Sequence, residues 1–281
     1  MMKSTAPSLI LKKAAARKLL PAISDQDHKG SRGRSLILAG SQEFPGAAVL
    51  AAKAALRMGS GYVCVGQKNL VLSSLENPDF LVVDLKKTPW QEIKFNAVLV
   101  GPGFGVNDFT ASIIKQLKQA HVENVVLDAD AIRVCADENL FPVPDPWILT
   151  PHAGELGYCL GISNNDVNSD REASIREGQA FMGGVVLLKG HRTLVFNGKK
   201  VYTNVTGNSA LAKSGTGDVL AGIITSLRAQ GLSALKAALL GAYVHGATAN
   251  LWKAHKKDLL SMTASDVIEY LPEVLFRIRH S

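Results

Sequence analysis

One order of segments recurs along this chain: a short apolar run, a glycine-rich turn, then a stretch with helical periodicity. Several of the runs are continuous and rich in β-branched residues, as strands buried on both faces should be. Strands that alternate with helices form right-handed βαβ units, which place the strands parallel in one sheet. We therefore predict an α/β fold of three layers, with helices on both faces of a mostly parallel central sheet.

The apolar runs predict strands at residues 35–38, 62–65, 80–83, 97–100, 125–127, 147–149, 185–188, 193–196 and 200–203. Helical periodicity predicts helices at residues 47–58, 108–119, 172–182, 218–230, 234–252 and 263–278. The last three strands are separated only by short turns, at Gly190 and at Asn197-Gly198. Because short turns of this kind join antiparallel strands, we expect a hairpin at one edge of the sheet.

Length and composition fit one globular domain across residues 1–281. The chain is 47% hydrophobic and 20% charged, which is typical of a folded protein rather than a disordered one. Its most apolar stretch, residues 237–252, contains His245 and is too short to span a bilayer. Lys12 and Lys13 interrupt the apolar residues that a signal peptide would need. We therefore expect a cytoplasmic protein with no membrane partner.

The three cysteines predict nothing about metals or redox chemistry. Cys64, Cys135 and Cys159 have neither the spacing of a metal site nor that of a CxxC pair. Free cysteine packs well in cores, so we interpret all three as small apolar residues in a reducing compartment.

Positive charge is concentrated at the start of the chain. The formal net charge is +7, and residues 1–34 hold eight Lys or Arg against two Asp. We interpret the segment at about residues 1–30 as a solvated basic terminus, with Lys29, Arg32 or Arg34 facing a phosphate as the alternative. A nucleic-acid-binding face would need aromatic side chains among its basic residues. The first 43 residues contain no Phe, Tyr or Trp, so we expect no nucleic-acid partner.

The most informative motif is Gly215-Thr216-Gly217-Asp218, which is followed by an apolar helix. Two glycines let the backbone bend so that several amides point one way, and the helix adds its positive N-terminal dipole. The motif therefore predicts an anion site suited to a phosphoryl group. Asp218 could simply cap the helix. Beside this loop, we favour a carboxylate that accepts a proton from a substrate hydroxyl as its oxygen attacks phosphorus.

Polar residues also follow five of the predicted strands. In open α/β sheets, ligands bind beyond the carboxyl ends of the strands, so we expect these turns to converge on one rim. They are Ala39-Gly40-Ser41, Gly101-Pro102-Gly103-Phe104-Gly105, Asp128-Ala129-Asp130, Thr150-Pro151-His152-Ala153-Gly154-Glu155 and Lys189-Gly190.

These motifs together resemble a known family. Residues 214–222, Ser-Gly-Thr-Gly-Asp-Val-Leu-Ala-Gly, are similar to the signature of the ribokinase-like superfamily. Other motifs resemble those of one branch, the ADP- or ATP-dependent NAD(P)H-hydrate dehydratases, and they occur in the same order. These motifs are the rim turns, Pro45-Gly46-Ala47-Ala48 and residues 189–193. The resemblance extends from about residue 29 to residue 245. The sequence departs from the pattern at Phe104, where Leu is frequent, at Ala153, where Pro is frequent, and at Lys213, where small residues are commoner.

The resemblance implies a ribokinase-like fold and a lyase that repairs nicotinamide nucleotides. Its substrates would be the S-epimer of hydrated NADH or NADPH and a nucleotide, ADP or ATP. A phosphoryl group would pass to the ring hydroxyl and the ring nitrogen would then expel it, which restores NADH or NADPH and releases phosphate with AMP or ADP. Mg²⁺ would bridge the nucleotide phosphates. The resemblance also implies a homotetramer and an NAD(P)H-hydrate epimerase that works alongside this enzyme. It implies ADP as the donor, since ADP is usual in stand-alone bacterial forms.

The resemblance also implies site residues. Asp218 would be the catalytic base. The substrate would contact Ala47, Gly103, Gly105, His152 and Asp218. The nucleotide would contact Lys189, Gly190, His191, Arg192, Thr193, Gly215, Thr216 and Gly217. Glu155 would support the metal, directly or through water.

Each assignment has a structural alternative. The glycines could serve tight turns alone, His152 could be structural, and Glu155 could be an ordinary first-turn helix carboxylate. We expect Asp128 and Asp130 to cap a helix or to hold other groups of the site in position. Asn208 fits a turn role or substrate orientation equally, and Lys213 either reaches a phosphate or points to solvent.

The alternative function is a small-molecule kinase of the same superfamily, acting on a hydroxymethylpyrimidine or thiazole alcohol. Such a kinase would share residues 215–218 and differ in the turns that face the substrate. Residues 45–48 and 150–155 favour the dehydratase. An inactive nucleotide sensor is disfavoured because the Gly-Thr-Gly-Asp motif is intact.

Overall fold

The computed structural model describes residues 9–72 and 79–280, and ten strands within them form one sheet. The strands are β1 (Leu9–Ile10), β2 (Arg34–Leu38), β3 (Tyr62–Gln67), β4 (Leu81–Asp84), β5 (Ala97–Val100), β6 (Val125–Leu127), β7 (Val143–Leu149), β8 (Gly183–Leu188), β9 (Leu194–Phe196) and β10 (Val201–Thr203). Their spatial order is β1-β10-β9-β8-β7-β6-β5-β2-β3-β4. Only the pairs β8–β9 and β9–β10 of this sheet are antiparallel. The prediction of a mostly parallel sheet is confirmed.

Helices cover both faces of the sheet. In the described ranges they are α1 (Lys13–Leu19), α2 (Pro45–Arg57), α3 (Asp108–Gln119), α4 (Asp130–Asp137), α5 (Ala153–Leu160), α6 (Asn164–Ser169), α7 (Arg171–Met182), α8 (Thr216–Ala229), α9 (Ala234–Ala254) and α10 (Ala264–Arg279). Two short 3-10 helices lie at Trp90–Glu92 and Ser209–Leu211. None of the helices in the part of the chain that the structure describes combines the length and apolar character needed to cross a membrane.

Two separate hydrophobic clusters explain why the strands read as continuous apolar runs. Along β2, Leu36 and Leu38 belong to the cluster that includes residues of α3, α4, α5 and α7, whereas Ile37 belongs to the cluster with α2, α8, α9 and α10. All three side chains are fully buried. Successive residues of a strand point to opposite faces, so a sheet covered on both faces buries every position. This is the three-layer architecture that the sequence predicts.

Four helices were not predicted, and all of them are short. Helix α1 has seven residues. Helices α4 and α5 have eight residues each and α6 has six. Helices α4 and α5 begin inside the polar turns at Asp130 and Ala153, which the sequence presents as rim residues. Two turns of helix are too few for a 3.6-residue apolar period to stand out from the flanking loops.

The Lys and Arg side chains of residues 9–19 are exposed, as expected of a solvated basic terminus, but this stretch also joins the fold. Residues 1–8 of the segment lie outside the described residues. Strand β1 pairs in parallel with Tyr202 and Thr203 of β10. Leu11 and Ala16 are buried, while the Lys and Arg side chains of this stretch are exposed. The expected antiparallel strands are present, but β1 rather than the hairpin forms the edge of the described sheet.

Lys29, Arg32 and Arg34 do not lie at the predicted rim. Arg34 is the first residue of β2, so these residues lie at the amino-terminal edge of the sheet and the anion loop lies beyond the opposite edge. Arg32 Nη2 pairs with Asp27 Oδ2 at 3.2 Å. Lys29 and Arg34 approach the Tyr62 ring, at 5.1 and 5.2 Å from its centroid. Each of these cations therefore has a local partner.

Candidate active site

The five polar turns lie side by side at the carboxyl ends of five adjacent strands. In the order β2, β5, β6, β7, β8, each turn is bonded to its neighbour. The Gly40 amide donates to the Pro102 carbonyl oxygen at 2.8 Å, and the Lys189 amide donates to the Pro151 carbonyl oxygen at 2.8 Å. Between them, the Gly105 amide donates to Asp130 at 2.8 Å. The parallel sheet therefore brings together one continuous rim, as expected from strand order.

The anion loop lies at the start of α8. Gly215 has φ +86°, a conformation that favours glycine, and a Cβ atom there would lie 2.6 Å from Leu50 Cδ1, which would have to move aside. The Thr216 hydroxyl ties the loop down through the carbonyl oxygens of Leu211 and Lys213, both at 2.9 Å. The amides of Gly217 and Asp218 have no acceptor among the residues that the structure describes. They remain available to an anion at the positive end of the helix.

Asp218 is the third residue of α8 and is half-buried. Burial is the main reason that its pKa rises from 3.8 to about 7; the charge on Asp128 raises it further, against the opposing effect of Lys189. A carboxylate with this pKa is about half ionised at neutral pH. That is the property expected of a general base that works near pH 7.

Lys189 is the cation of this rim. Its Nζ lies 2.7 Å from Asp128 Oδ1 and 3.7 Å from Glu155 Oε2. Burial lowers the pKa of Lys189, but Asp128, Glu155 and Asp218 together outweigh it, so the net shift is upward and the ammonium stays charged. The ion pair with Asp128 was not predicted, because the two residues are 61 positions apart and no sequence motif contains both of them.

A cavity of about 550 Å³ opens beside the anion loop. Most residues of the predicted nucleotide set line it: Lys189, Gly190, His191, Arg192, Thr193, Thr216 and Gly217. Gly190 has φ +136°, and a Cβ atom there would lie 3.1 Å from the Arg171 guanidinium, which itself donates to the carbonyl oxygens of Leu188 and Lys189. The backbone conformation at this position thus favours glycine, and the Arg171 guanidinium would have to shift slightly to admit a Cβ atom.

The far wall of this cavity contains residues that sequence reasoning missed. Asn204 donates to the Ala242 carbonyl oxygen at 3.0 Å and Thr206 to that of Tyr243 at 2.9 Å, which joins the segment after β10 to α9. His245 also lines the cavity, and its Nε2 is buried without a partner among the described residues. Burial lowers the pKa of His245 to about 4, so the ring is neutral. No local pattern marks these positions.

The predicted substrate set begins on the other side of the rim. Gly103 has φ +58°, and a Cβ atom there would lie 2.6 Å from Phe44 Cβ and 3.4 Å from Ala47 Cβ. The structure therefore brings Gly103 and Ala47 together. Gly105 has φ +94° and its amide binds Asp130.

His152 and Glu155 start helix α5 with reciprocal hydrogen bonds. The Glu155 amide donates to His152 Nδ1 at 3.1 Å, and the His152 amide donates to Glu155 Oε2 at 2.7 Å. His152 lines both the large cavity and a second one of about 310 Å³, where Asp130, Arg133 and Tyr158 also lie. The described residues contain no group of three or more His, Cys, Asp or Glu able to hold a metal ion.

The structure also places Asn208 and Lys213, the two residues for which the sequence leaves two roles open. Asn208 accepts from the Ala210 amide at 3.0 Å and donates to the Ala249 carbonyl oxygen at 2.8 Å, which fits the turn role, and it also lines the large cavity. Lys213 is exposed beside the anion loop.

Comparison with known proteins agrees with this arrangement. The NAD(P)H-hydrate dehydratase family matches residues 35–273. An ADP-dependent (S)-NAD(P)H-hydrate dehydratase of Neisseria meningitidis is 37% identical over 254 residues, which cover 88% of this chain and 86% of that protein. A bifunctional NAD(P)H-hydrate repair enzyme of Moorella thermoacetica is 35% identical over 288 residues, covering 95% of this chain and 53% of that protein. The chain thus spans about half the length of this bifunctional relative.

A solved structure is similar over nearly the whole chain. The ADP/ATP-dependent NAD(P)H-hydrate dehydratase of Bacillus subtilis, co-crystallised with ATP and Mg²⁺, is 30% identical with a TM-score of 0.85. The match covers 98% of this chain and 100% of that one. Since sequence and fold agree over most of the chain, it belongs to the NAD(P)H-hydrate dehydratase family.

Proposed function

We propose that this enzyme uses ADP or ATP to dehydrate the S-epimer of hydrated NADH and NADPH, as a repair lyase. The observation that carries the proposal is Asp218, a carboxylate with pKa about 7 at the start of α8. It lies next to free loop amides and a cavity of about 550 Å³. The family match favours this reaction over the alternative, a kinase for a hydroxymethylpyrimidine or thiazole alcohol.

In the proposed reaction, Asp218 accepts the proton of the ring hydroxyl as the hydroxyl oxygen attacks the terminal phosphorus of the nucleotide. The bond from that phosphorus to the leaving AMP or ADP oxygen breaks. The lone pair of the ring nitrogen then expels the new phosphate group by breaking its carbon–oxygen bond, and loss of a ring proton restores NADH or NADPH. The amides of Gly217 and Asp218 would stabilise the phosphoryl oxygens, and each such donor typically contributes ~3 kcal/mol.

The remaining site residues are proposed in the same roles that the sequence predicts. Ala47, Gly103, Gly105 and His152 face the hydrated dinucleotide. The nucleotide set is Lys189, Gly190, His191, Arg192, Thr193, Gly215, Thr216 and Gly217. Because His152 lines both cavities, it lies where the two ligands would meet.

Mg²⁺ would neutralise charge on the nucleotide phosphates; such an ion usually keeps several waters and is bound by the phosphates together with one or two carboxylates. Glu155 is the residue proposed to support it. Its Oε2 already accepts from the His152 amide and lies near Lys189, which favours contact through water over a direct bond.

The test is to incubate purified protein with hydrated NADH, Mg²⁺ and either ADP or ATP, and to follow the NADH absorbance band. Return of the band with release of AMP or ADP and phosphate supports the proposal, and the faster nucleotide identifies the donor. Asp218→Asn serves as the matched control. Accumulation of a phosphorylated alcohol without NADH absorbance would instead support the kinase.

The proposed setting is the cytoplasm, with one catalytic domain per chain, a homotetramer, and an NAD(P)H-hydrate epimerase that supplies the S-epimer. The three free thiols agree with a reducing compartment. Light scattering checks the assembly, since a tetramer would have the mass of four 30.0 kDa chains.

A further inference from the structure

The turn after β6 carries two carboxylates that reach different neighbours. Asp128 is 1% exposed, and its Oδ1 accepts from Lys189 Nζ at 2.7 Å and from the Thr150 hydroxyl at 2.8 Å. Asp130 Oδ2 accepts from the Gly105 amide at 2.8 Å. One carboxylate thus contacts the turn after β8, and the other contacts the turn after β5.

The residue between them explains the divergence. In an extended strand, residues i and i+2 point to the same face. Ala129 has φ +50° and ψ −120°, which breaks this relation between Asp128 and Asp130. Residues other than glycine rarely occupy such a region, and they persist where the surrounding structure holds them there. The strained backbone therefore separates the two carboxylates.

On the nucleotide side, Asp128 fixes the position of Lys189. The Lys189 ammonium lies 3.5 Å from the place that a Cβ atom of Gly217 would occupy, so it stands over the anion loop. A lysine side chain is long and flexible, and an anchored one loses less entropy when it meets a phosphate. Asp128, in turn, is so deeply buried that an uncompensated charge there would be costly, which makes the pair mutually dependent.

On the other side, Asp130 fixes the turn that contains Gly103 and Gly105. Both glycines have positive φ, so the turn has unusual backbone freedom. The bond from the Gly105 amide to Asp130 holds this turn beside α4, and Gly103 lies next to Ala47. The same carboxylate lines the smaller cavity with His152.

We propose that the Asp128-Ala129-Asp130 turn organises the two ligand sites separately. Asp128 is a positioning residue for the nucleotide, acting through Lys189, and Asp130 is a positioning residue for the hydrated dinucleotide, acting through Gly105. The proposal rests on the division of the rim in the proposed function.

The test compares two matched variants, Asp128→Asn and Asp130→Asn, by calorimetric titration of the full chain with ADP alone and with hydrated NADH alone. Asp128→Asn should weaken ADP binding by ~10- to 100-fold and leave hydrated NADH binding unchanged, since displaced supporting groups commonly cost this much. Asp130→Asn should do the reverse. A purely structural role would weaken both ligands in each variant.

Unchanged ADP affinity in Asp128→Asn, or equal losses for both ligands in both variants, overturns the proposal. If Asp128→Asn does not fold, Thr150→Val removes the second hydrogen bond to Asp128, and a selective loss of ADP affinity is then the expected result. Wild-type protein that binds ADP but neither binds hydrated NADH nor restores its absorbance would refute the proposed function. The ADP titration would still decide the role of Asp128.

Discussion

Replacing Asp218 by Asn should abolish most activity and, at the same time, stabilise the folded protein at alkaline pH. A carboxyl whose pKa is raised in the folded state stabilises that state at low pH, below its unfolded value of 3.8. This contribution is lost as the pH rises through the folded value of about 7. Asn has nearly the same shape and cannot ionise, so the variant escapes the loss.

The size of the effect follows from the shift itself. A change from 3.8 to about 7 corresponds to about 4 kcal/mol above pH 7. Asp218 also interacts favourably with the helix dipole, which Asn would not do as well, so we expect a net gain of roughly 2–4 kcal/mol at pH 8. The gain should shrink to less than half at pH 5, because wild-type Asp218 is already protonated there in the folded state.

The assay is thermal unfolding of both proteins at pH 8 and pH 5, together with turnover and ADP binding at pH 7.5. A gain of this size raises Tm by roughly 4–8 °C in a chain of this length. Turnover should fall by ~10²–10⁴-fold while ADP still binds.

A second aspartate provides the matched control. Asp266 is also the third residue of its helix, α10, where it accepts from the Thr263 amide at 2.7 Å and from its hydroxyl at 2.6 Å. Asp266→Asn should lower stability by about 1 kcal/mol and leave turnover unchanged. If Asp218→Asn is destabilised in the same way, Asp218 is a helix cap; if its turnover is near normal, the carboxylate is not the base.

Four further outcomes are expected. Because Asp218 must be ionised to accept a proton, kcat/KM for hydrated NADH should fall about tenfold per pH unit below about pH 7, and a flat profile down to pH 5 would contradict this. Gly101→Ala should prevent normal folding, since φ is +132° and a Cβ atom would lie 1.8 Å from the Asp128 carbonyl oxygen. Gly161→Ala, with φ +70° and no atom within 4 Å, should cost only about 1 kcal/mol of unfolding free energy. Removing residues 1–20 should lower Tm because Leu11 and Ala16 leave the core, and unchanged melting would contradict the role of β1 and α1.

The fold could be predicted from the sequence wherever a pattern repeats over enough residues. All six predicted helices are present with ends within two residues of those predicted. Strand β7 was predicted only at its end, because Pro144 and Pro146 interrupt the apolar run and the pairing with β8 shifts register between Val143 and Ile148. Strand β1 could not be predicted at all, since two residues give no periodicity and their partner, β10, lies far along the chain.

The residues of the candidate site likewise fall into those that the sequence could predict and those that it could not. The Gly-Thr-Gly-Asp loop could be recognised because its function depends on consecutive amides and on the helix that follows directly. The anchoring of Lys189 could not, because Asp128 and Thr150 come from two other turns. His245 also lacked a signal, since a single histidine within the apolar positions of α9 looks like any satisfied core residue.

Local sequence patterns predicted most of the strands, six of the described helices, the buried character of the sheet and the anion loop at the start of α8. Each of these depends on residues that are neighbours in the chain. The fold was needed to show that Asp128 meets Lys189, that Asp130 holds Gly105, and that the basic terminus adds a strand to the sheet. These contacts depend on which strands lie next to each other and on the unusual φ of Ala129. Neither could be predicted, because parallel pairing between distant segments leaves no local pattern in the sequence.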